Sequence, residues 1–169
     1  EERMRDGVVG EFSVAENLIL VDHDRLPYCR RGLLRLGAIA RACRDLVDRF
    51  TVKTPSLETT TSNLSGGNIQ KLILARELSG GPKVLVAAQP TRGVDIGAAE
   101  YIHRRLIDER SSGTAVLVIS EDLDEVLALS DRVAVMFDGR IVEVMDVADA
   151  TVKRLGLLMA GSDPEGAAA

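Results

Sequence analysis

Aromatic residues are scarce in this chain, with no Trp, two Tyr and three Phe in 169 residues. The core must therefore be built from Leu, Val, Ile and Ala, and Tyr101 is too isolated to suggest base stacking. Cysteine is equally sparse: Cys29 and Cys43 have no second Cys/His pair beside them, so metal-ligand spacing is absent and two reduced thiols are expected. A basic excess is missing too, since 21 Lys and Arg face 26 Asp and Glu for a net charge of −5. That balance argues against a surface that tracks nucleic-acid phosphates, while leaving room for a local basic patch. No apolar run approaches the roughly 18 residues that suggest a membrane span. The opening Glu1-Glu2-Arg3-Met4-Arg5-Asp6 is neither an initiator Met nor a signal peptide, so the chain reads as a piece of something longer. Internal repeats and coiled-coil heptads are also lacking.

What is present is ordinary for a soluble globular domain: 46% apolar and 28% charged residues, in a length that fits one domain with a real core. Ser13 and Glu16 stand in capping-box register ahead of a short helix ending near Leu20. Residues 22–32 are polar and Pro-broken and predict a loop, with His23 solvated. Ile39, Ala42, Cys43, Leu46, Val47 and Phe50 recur at helical spacing, with Arg41, Arg44, Asp45, Asp48 and Arg49 opposite, which predicts an amphipathic helix. After a Thr/Ser-rich loop comes Leu64-Ser65-Gly66-Gly67-Asn68-Ile69-Gln70-Lys71. Here Ser65 is a suitable N-cap, and two glycines let a ligand approach the first N–H groups of a helix. Such a helix start is a ready site for a phosphate, although Ser-Gly-Gly taken alone is better explained by a capped amphipathic helix with a flexible entry. Ser79-Gly80-Gly81-Pro82 ends the helix, and the first half shows no obvious strand.

The second half changes character at Lys83. Val84-Leu85-Val86-Ala87-Ala88 and Thr114-Ala115-Val116-Leu117-Val118-Ile119 predict two strands buried on both faces. Between them a helix is expected from about Gly97 to Arg110, with Ala98, Ala99, Ile102 and Leu106 inward. A short helix over residues 122–129 follows. Asp122, Asp124, Glu125 and Asp131 are best explained by solvation and the helix dipole rather than by a metal. His103, among Arg104 and Arg105, reads as a surface residue. Asp138-Gly139 is a type I′ turn signal between two apolar runs, and a last helix is expected around residues 147–159. Strand–helix–strand–helix order predicts an α/β fold with a mostly parallel sheet finished by an antiparallel hairpin.

In this order, the pieces resemble the ATP-binding cassette of ABC transporters. Residues 64–71 are similar to the family's signature sequence, and residues 84–89 fall at its Walker B strand. Pro90-Thr91-Arg92-Gly93-Val94-Asp95 is similar to its D-loop, and residues 116–125 to the strand and turn that carry the switch histidine. Asn68 after the two glycines, Arg92 in Pro-Thr-Arg-Gly and the opening segment further resemble the importers of simple sugars and nucleosides, in which two cassettes are fused. The chain looks most like the second cassette of the nucleoside type, entered at the Q-loop, with Glu1 at the position of the Q-loop glutamine.

The resemblance implies an incomplete P-loop NTPase domain: a helical signature subdomain over 1–81, the C-terminal part of the ATPase core over 82–160, and a disordered tail over 161–169. It implies ATP and Mg²⁺ in the full assembly and a location at the cytoplasmic face of a membrane. The implied partners are a second cassette, permease subunits and, indirectly, a solute-binding protein, with no nucleic acid. Ser65, Gly66, Gly67 and Asn68 would meet the ATP of the partner cassette, with Asp95 in the D-loop. The departures matter as much. No Gly-x-x-x-x-Gly-Lys-Ser/Thr occurs, so the Walker A cradle is absent from the sequence. The Walker B Asp-Glu pair is replaced by Ala88-Gln89, which offers neither a metal-holding carboxylate nor a proton acceptor. Glu121 stands at the switch position, where a carboxylate roughly 4 Å from a phosphate charge would be repelled by about 4 kcal/mol at an effective dielectric of 20. The resemblance therefore implies an intact signature beside a degenerate site, with no ATPase activity for this stretch alone. Two competing readings are a non-hydrolytic regulatory nucleotide-binding module and a cassette ATPase of DNA repair or ribosome function; the acidic balance counts against the latter.

Overall fold

The computed structural model describes residue 4 and residues 7–162. Two compact units emerge: residues through Leu85 together with Pro90–Val116, and Val86–Gln89 together with residues from Leu117 onward.

The first unit is mainly helical. Helix α1 (Val14–Ile19) opens on a complete capping box, in which the Ser13 hydroxyl accepts from the Glu16 N–H and the Glu16 carboxylate accepts from the Ser13 N–H. Its buried Asn17 closes a polar node. The Asn17 amide donates to Val9 O and to Thr61 Oγ1, each at 2.9 Å, while its Oδ1 accepts from Val9 N at 2.9 Å. Helix α2 (Leu36–Arg49) buries Ile39, Cys43 and Leu46, the stripe its periodicity predicts. Burial pushes the Cys43 thiol up to about 11, and both cysteines are free. Helix α3 (Gly66–Ser79) packs against α1 and α2 and against α4 (Ile96–Ser111). Ala98, Ile102 and Leu106 of α4 are buried, as expected, whereas Ala99 is only half-buried. Phe50 is completely buried, with the guanidinium groups of Arg49 and Arg105 4.8 and 4.6 Å from its ring centre.

One expectation fails here. The first half does contain strands: β1 (Cys29–Arg30) and β2 (Leu33–Leu34) pair antiparallel around a turn in which Arg31 and Gly32 have φ of 53° and 77°. Two-residue strands are too short to show alternation, so only Gly32 could have marked the turn.

Strands β3 (Val84–Ala88) and β4 (Ala115–Ile119) form a two-stranded sheet. Ala115 N donates to Lys83 O at 2.9 Å and Gln89 N to Ile119 O at 2.7 Å, so like ends meet and the pair is parallel. Burial on both faces does not hold. Leu85 is buried, but Val86 and Leu117 are 59% and 55% exposed. A continuous apolar run records the capacity for two-sided burial, and in this structure only one side is used.

In the second unit, α5 (Leu123–Leu129) begins at Asp122, whose carboxylate accepts from the N–H groups of Asp124 and Glu125. Strands β5 (Arg132–Phe137) and β6 (Arg140–Asp146) form the predicted hairpin, turning at Asp138 and Gly139 with φ of 46° and 72°. A short 3₁₀ turn leads to α6 (Val152–Met159), capped by Thr151. Val133, Val135, Met145, Ala150, Leu155 and Leu158 form this unit's core, with Leu123, Val126 and Leu127 packed against it. Arg154 and Glu143 form an ion pair over its edge. Glu125 departs from the solvated-acid expectation, being 3% exposed.

Candidate functional site

The chemistry-bearing residues fall into two groups, one in each unit. In the first, Ser65 occupies the N-cap of α3 with extended backbone (φ −66°, ψ 154°) and its carbonyl accepts from Ile69 N at 3.0 Å. Its side chain does not cap the helix, contrary to expectation. Asn68 explains the difference: its Nδ2 donates to Ser65 Oγ at 2.9 Å while its Oδ1 accepts from Lys53 N at 2.9 Å. Asn68 thus braces the serine from within the first turn, and the Ser65 hydroxyl stays exposed at the end of a 14-residue helix.

Gly67 is the tightest point of this group. A Cβ there would lie 2.9 Å from Ala98 Cβ and 3.4 Å from Asp95 Oδ2, so the absence of a side chain lets α3 approach the start of α4. Asp95 is the N-cap of α4, its carboxylate accepting from Ala98 N at 2.9 Å. The structure therefore brings Ser65, Gly66, Gly67, Asn68 and Asp95 together. Lys71, at the end of the same stretch, turns away: its Nζ lies 4.6 Å from the Tyr101 ring centre and donates to Thr51 O at 3.4 Å. Sequence spacing gave no sign of the Gly67–Ala98 contact or of the Asn68 brace, because both depend on which elements meet in space.

In the second unit, Ala88 and Gln89 end β3, and Gln89 N is bonded to Ile119 O, two residues before Glu121. The strand pairing thus sets Gln89 beside the turn that carries Glu121, which is exposed. Gln89 has φ of 51°, a left-handed conformation costly for a residue with a Cβ. No carboxylate stands at position 88 or 89. Among the described residues, no cluster of His, Cys, Asp and Glu has a geometry that can hold a metal ion. Glu1 lies outside the described residues. No helix among them is long and apolar enough to cross a membrane.

No protein-family model matches the chain. Curated relatives do. The chain is 44% identical over 162 residues to the guanosine import ATP-binding protein NupO of Bacillus subtilis, an alignment covering 96% of this chain and 32% of that protein. It is 46% identical over 163 residues to the nucleoside import ATP-binding protein NupA of Lactococcus lactis, with the same two coverages. Among solved structures it is similar to the dimeric ABC transporter cassette MJ0796 at a TM-score of 0.66 and 20% identity, over 83% of this chain and 59% of that one. The chain belongs to the ATP-binding cassette family. As a cassette it is partial in extent, spanning about a third of the length of the curated relatives it matches. It is also similar to a nucleotide-free ATP-binding cassette from an ABC transporter at a TM-score of 0.65 and 22% identity, over 94% of this chain. These structural likenesses establish the α/β cassette fold expected from the order of elements.

Proposed function

We propose that this cassette segment belongs to the ATP-binding, energising subunit of an ABC importer for nucleosides or simple sugars, and that it supplies its signature to the nucleotide of a partner cassette. The observation that carries the reading is the exposed Ser65 hydroxyl at the N-terminus of α3, braced by Asn68 rather than used to cap its own helix. The similarity to NupO and NupA, ATP-binding proteins of guanosine and nucleoside import, supports the solute class. ATP hydrolysis belongs to the assembly: cassettes close on nucleotide, and the closure moves permease subunits docked against the helical part, residues 1–81, at the cytoplasmic membrane face.

The residues present fit one ligand and not another. A helix start with Ser65 exposed, Gly66 and Asn68 half-buried and Gly67 packed behind them suits a nucleotide's terminal phosphate, where donors stabilise the charge that develops during phosphoryl transfer. Asp95, fixed as the cap of α4, keeps the D-loop beside those residues. Mg²⁺ does not fit at Ala88 and Gln89, which offer no carboxylate, and Gln89 can orient a water but cannot take its proton. The cassette's own site is therefore read as degenerate, and the pair of sites as unequal.

Ser65→Arg in the full-length protein with its partners tests the composite site. Loss of turnover by about a hundredfold, the scale of removing a transition-state donor, is expected. Unchanged turnover would instead favour a regulatory, non-hydrolytic module, a reading that Ala88, Gln89 and Glu121 favour for this cassette alone. Ala88→Asp, Gln89→Glu and Glu121→His together should raise the number of ATP hydrolysed per closure from one toward two. Two equivalent turnovers in the unaltered protein would overturn the asymmetry.

A further inference from the structure

The most unusual surface of the first unit lies away from the signature. Between residues 25 and 44 the sequence has six arginines and no Asp or Glu, in a chain whose net charge is −5. The β1–β2 hairpin sits in this stretch, and its apolar residues are turned outward. Leu33 and Leu34 are 74% and 51% exposed, and Leu36, at the start of α2, is 72% exposed. Arg30, Arg31 and Arg35 alternate with them and are exposed as well.

The shape of the tip selects among occupants. Leu33 and Leu34 are successive strand residues, so they point to opposite sides of the ribbon. A Cβ built at Gly32 or Gly37 would have nothing within 4 Å, so both glycines face open space. The apolar surface therefore wraps a narrow, convex projection rather than lining a groove. A rigid protein partner covers one side of such a ribbon. A deformable interface covers both sides at once, and one that carries negative charge also satisfies the arginines.

We infer that the 29–36 hairpin is a membrane-surface contact, its leucines entering the interfacial layer of a bilayer and Arg30, Arg31 and Arg35 pairing with anionic phospholipid headgroups. The contact is direct, additional to docking through permease subunits, and does not depend on how the signature is used.

Flotation of the full-length protein with vesicles tests this, comparing phosphatidylcholine alone with an equimolar mixture of phosphatidylcholine and phosphatidylglycerol. The protein should float with the anionic vesicles and lose that binding as salt rises. Replacing Arg30, Arg31 and Arg35 together by Gln should weaken partitioning at least about tenfold, and replacing all three by Lys should retain it. Leu33→Ser with Leu34→Ser should also weaken it, at unchanged charge. These arginines are exposed, so the Gln and Lys variants should both fold, which circular dichroism checks. Ser65→Arg should float like the unaltered protein, so failure here and failure of the composite site are separate results. Flotation that is indifferent to the Gln substitutions, or equal on neutral vesicles, overturns the inference. Variants that float normally but no longer co-purify with a membrane-embedded partner would assign the hairpin to an acidic protein surface instead.

Discussion

The two units hold their motif residues in different ways. In the helical unit, motif residues have a second structural tie: Asn68 braces Ser65, Gly67 sets the approach to Ala98, and Asp95 caps α4. In the other unit, Ala88, Gln89 and Glu121 stand at strand ends whose neighbouring apolar side chains, Val86 and Leu117, remain open to water. Packing fixes position in the first group, while the second group has no carboxylate at positions 88 and 89. Position alone is preserved in both, since the Gln89–Ile119 hydrogen bond still gathers the strand ends.

The largest effects should come from emptying each core in turn. Phe50 is completely buried between α2 and two guanidinium groups, so Phe50→Ala should cost about 3–5 kcal/mol. Leu155, 1% exposed in the other core, should cost about 2–5 kcal/mol as Leu155→Ala. Amide hydrogen exchange should show Phe50→Ala lowering protection in α1, α2, α3 and α4, and Leu155→Ala lowering it in the β5–β6 hairpin and α6. Equal losses everywhere from either substitution would make the units one cooperative body and remove the contrast.

A smaller effect is expected where α3 meets α4. Gly67→Ala places a methyl 2.9 Å from Ala98 Cβ, and neither side can rotate away. Overpacking costs about 1–3 kcal/mol, offset by up to roughly 1 kcal/mol of better helix propensity. A net loss of about 1–2 kcal/mol in urea unfolding is expected, with reduced turnover in the full-length protein. Adding Ala98→Gly should recover part of both. Strictly additive effects would mean that this contact does not set the α3–α4 approach.

How far such details could be read beforehand depended on the range of the interaction. Ser13 with Glu16 and Asp138 with Gly139 act over three residues or fewer, and the sequence announced both. Ser65 has equally suitable chemistry for a cap, but Asn68 holds its hydroxyl, and Asn68 is tied in turn to Lys53 N, fifteen residues away. Glu125 reads as a solvated acid in the first turn of α5 yet is buried by tertiary packing. Motif spacing singled out Ser65, Gly66, Gly67, Asn68 and Asp95 in the sequence, whereas the contact at Gly67 needed helices α3 and α4 to meet in space.

A smaller effect concerns pH. Hydrogen bonds from the Ser13 side chain and backbone hold the Glu16 carboxyl below its ordinary value of 4.5. A lowered folded-state value means that the capping box contributes stability above pH 4.5 and loses it as pH falls through the folded-state value. Glu16→Gln should remove that slope, with under about 1 kcal/mol lost at neutral pH because the group is exposed. An unchanged acid limb in thermal unfolding would locate the acid sensitivity elsewhere.

The smallest effect on stability should come from Leu117→Lys, and it bears most directly on the second unit. Leu117 is 55% exposed, so replacing it should shift unfolding by no more than about 0.5 kcal/mol. Its consequence lies in association. Val86, Leu117 and Ile119 leave apolar strand surface in water, a condition that favours pairing with other apolar surface. The 169-residue chain alone should therefore self-associate in light scattering, and Leu117→Lys with Val86→Lys should reduce that sharply at nearly unchanged stability. Association that ignores these substitutions but falls with Leu33→Lys would move the sticky surface to the hairpin of the first unit. The helical unit would then be the one held less completely, reversing the contrast between a packed signature and an uncovered strand pair.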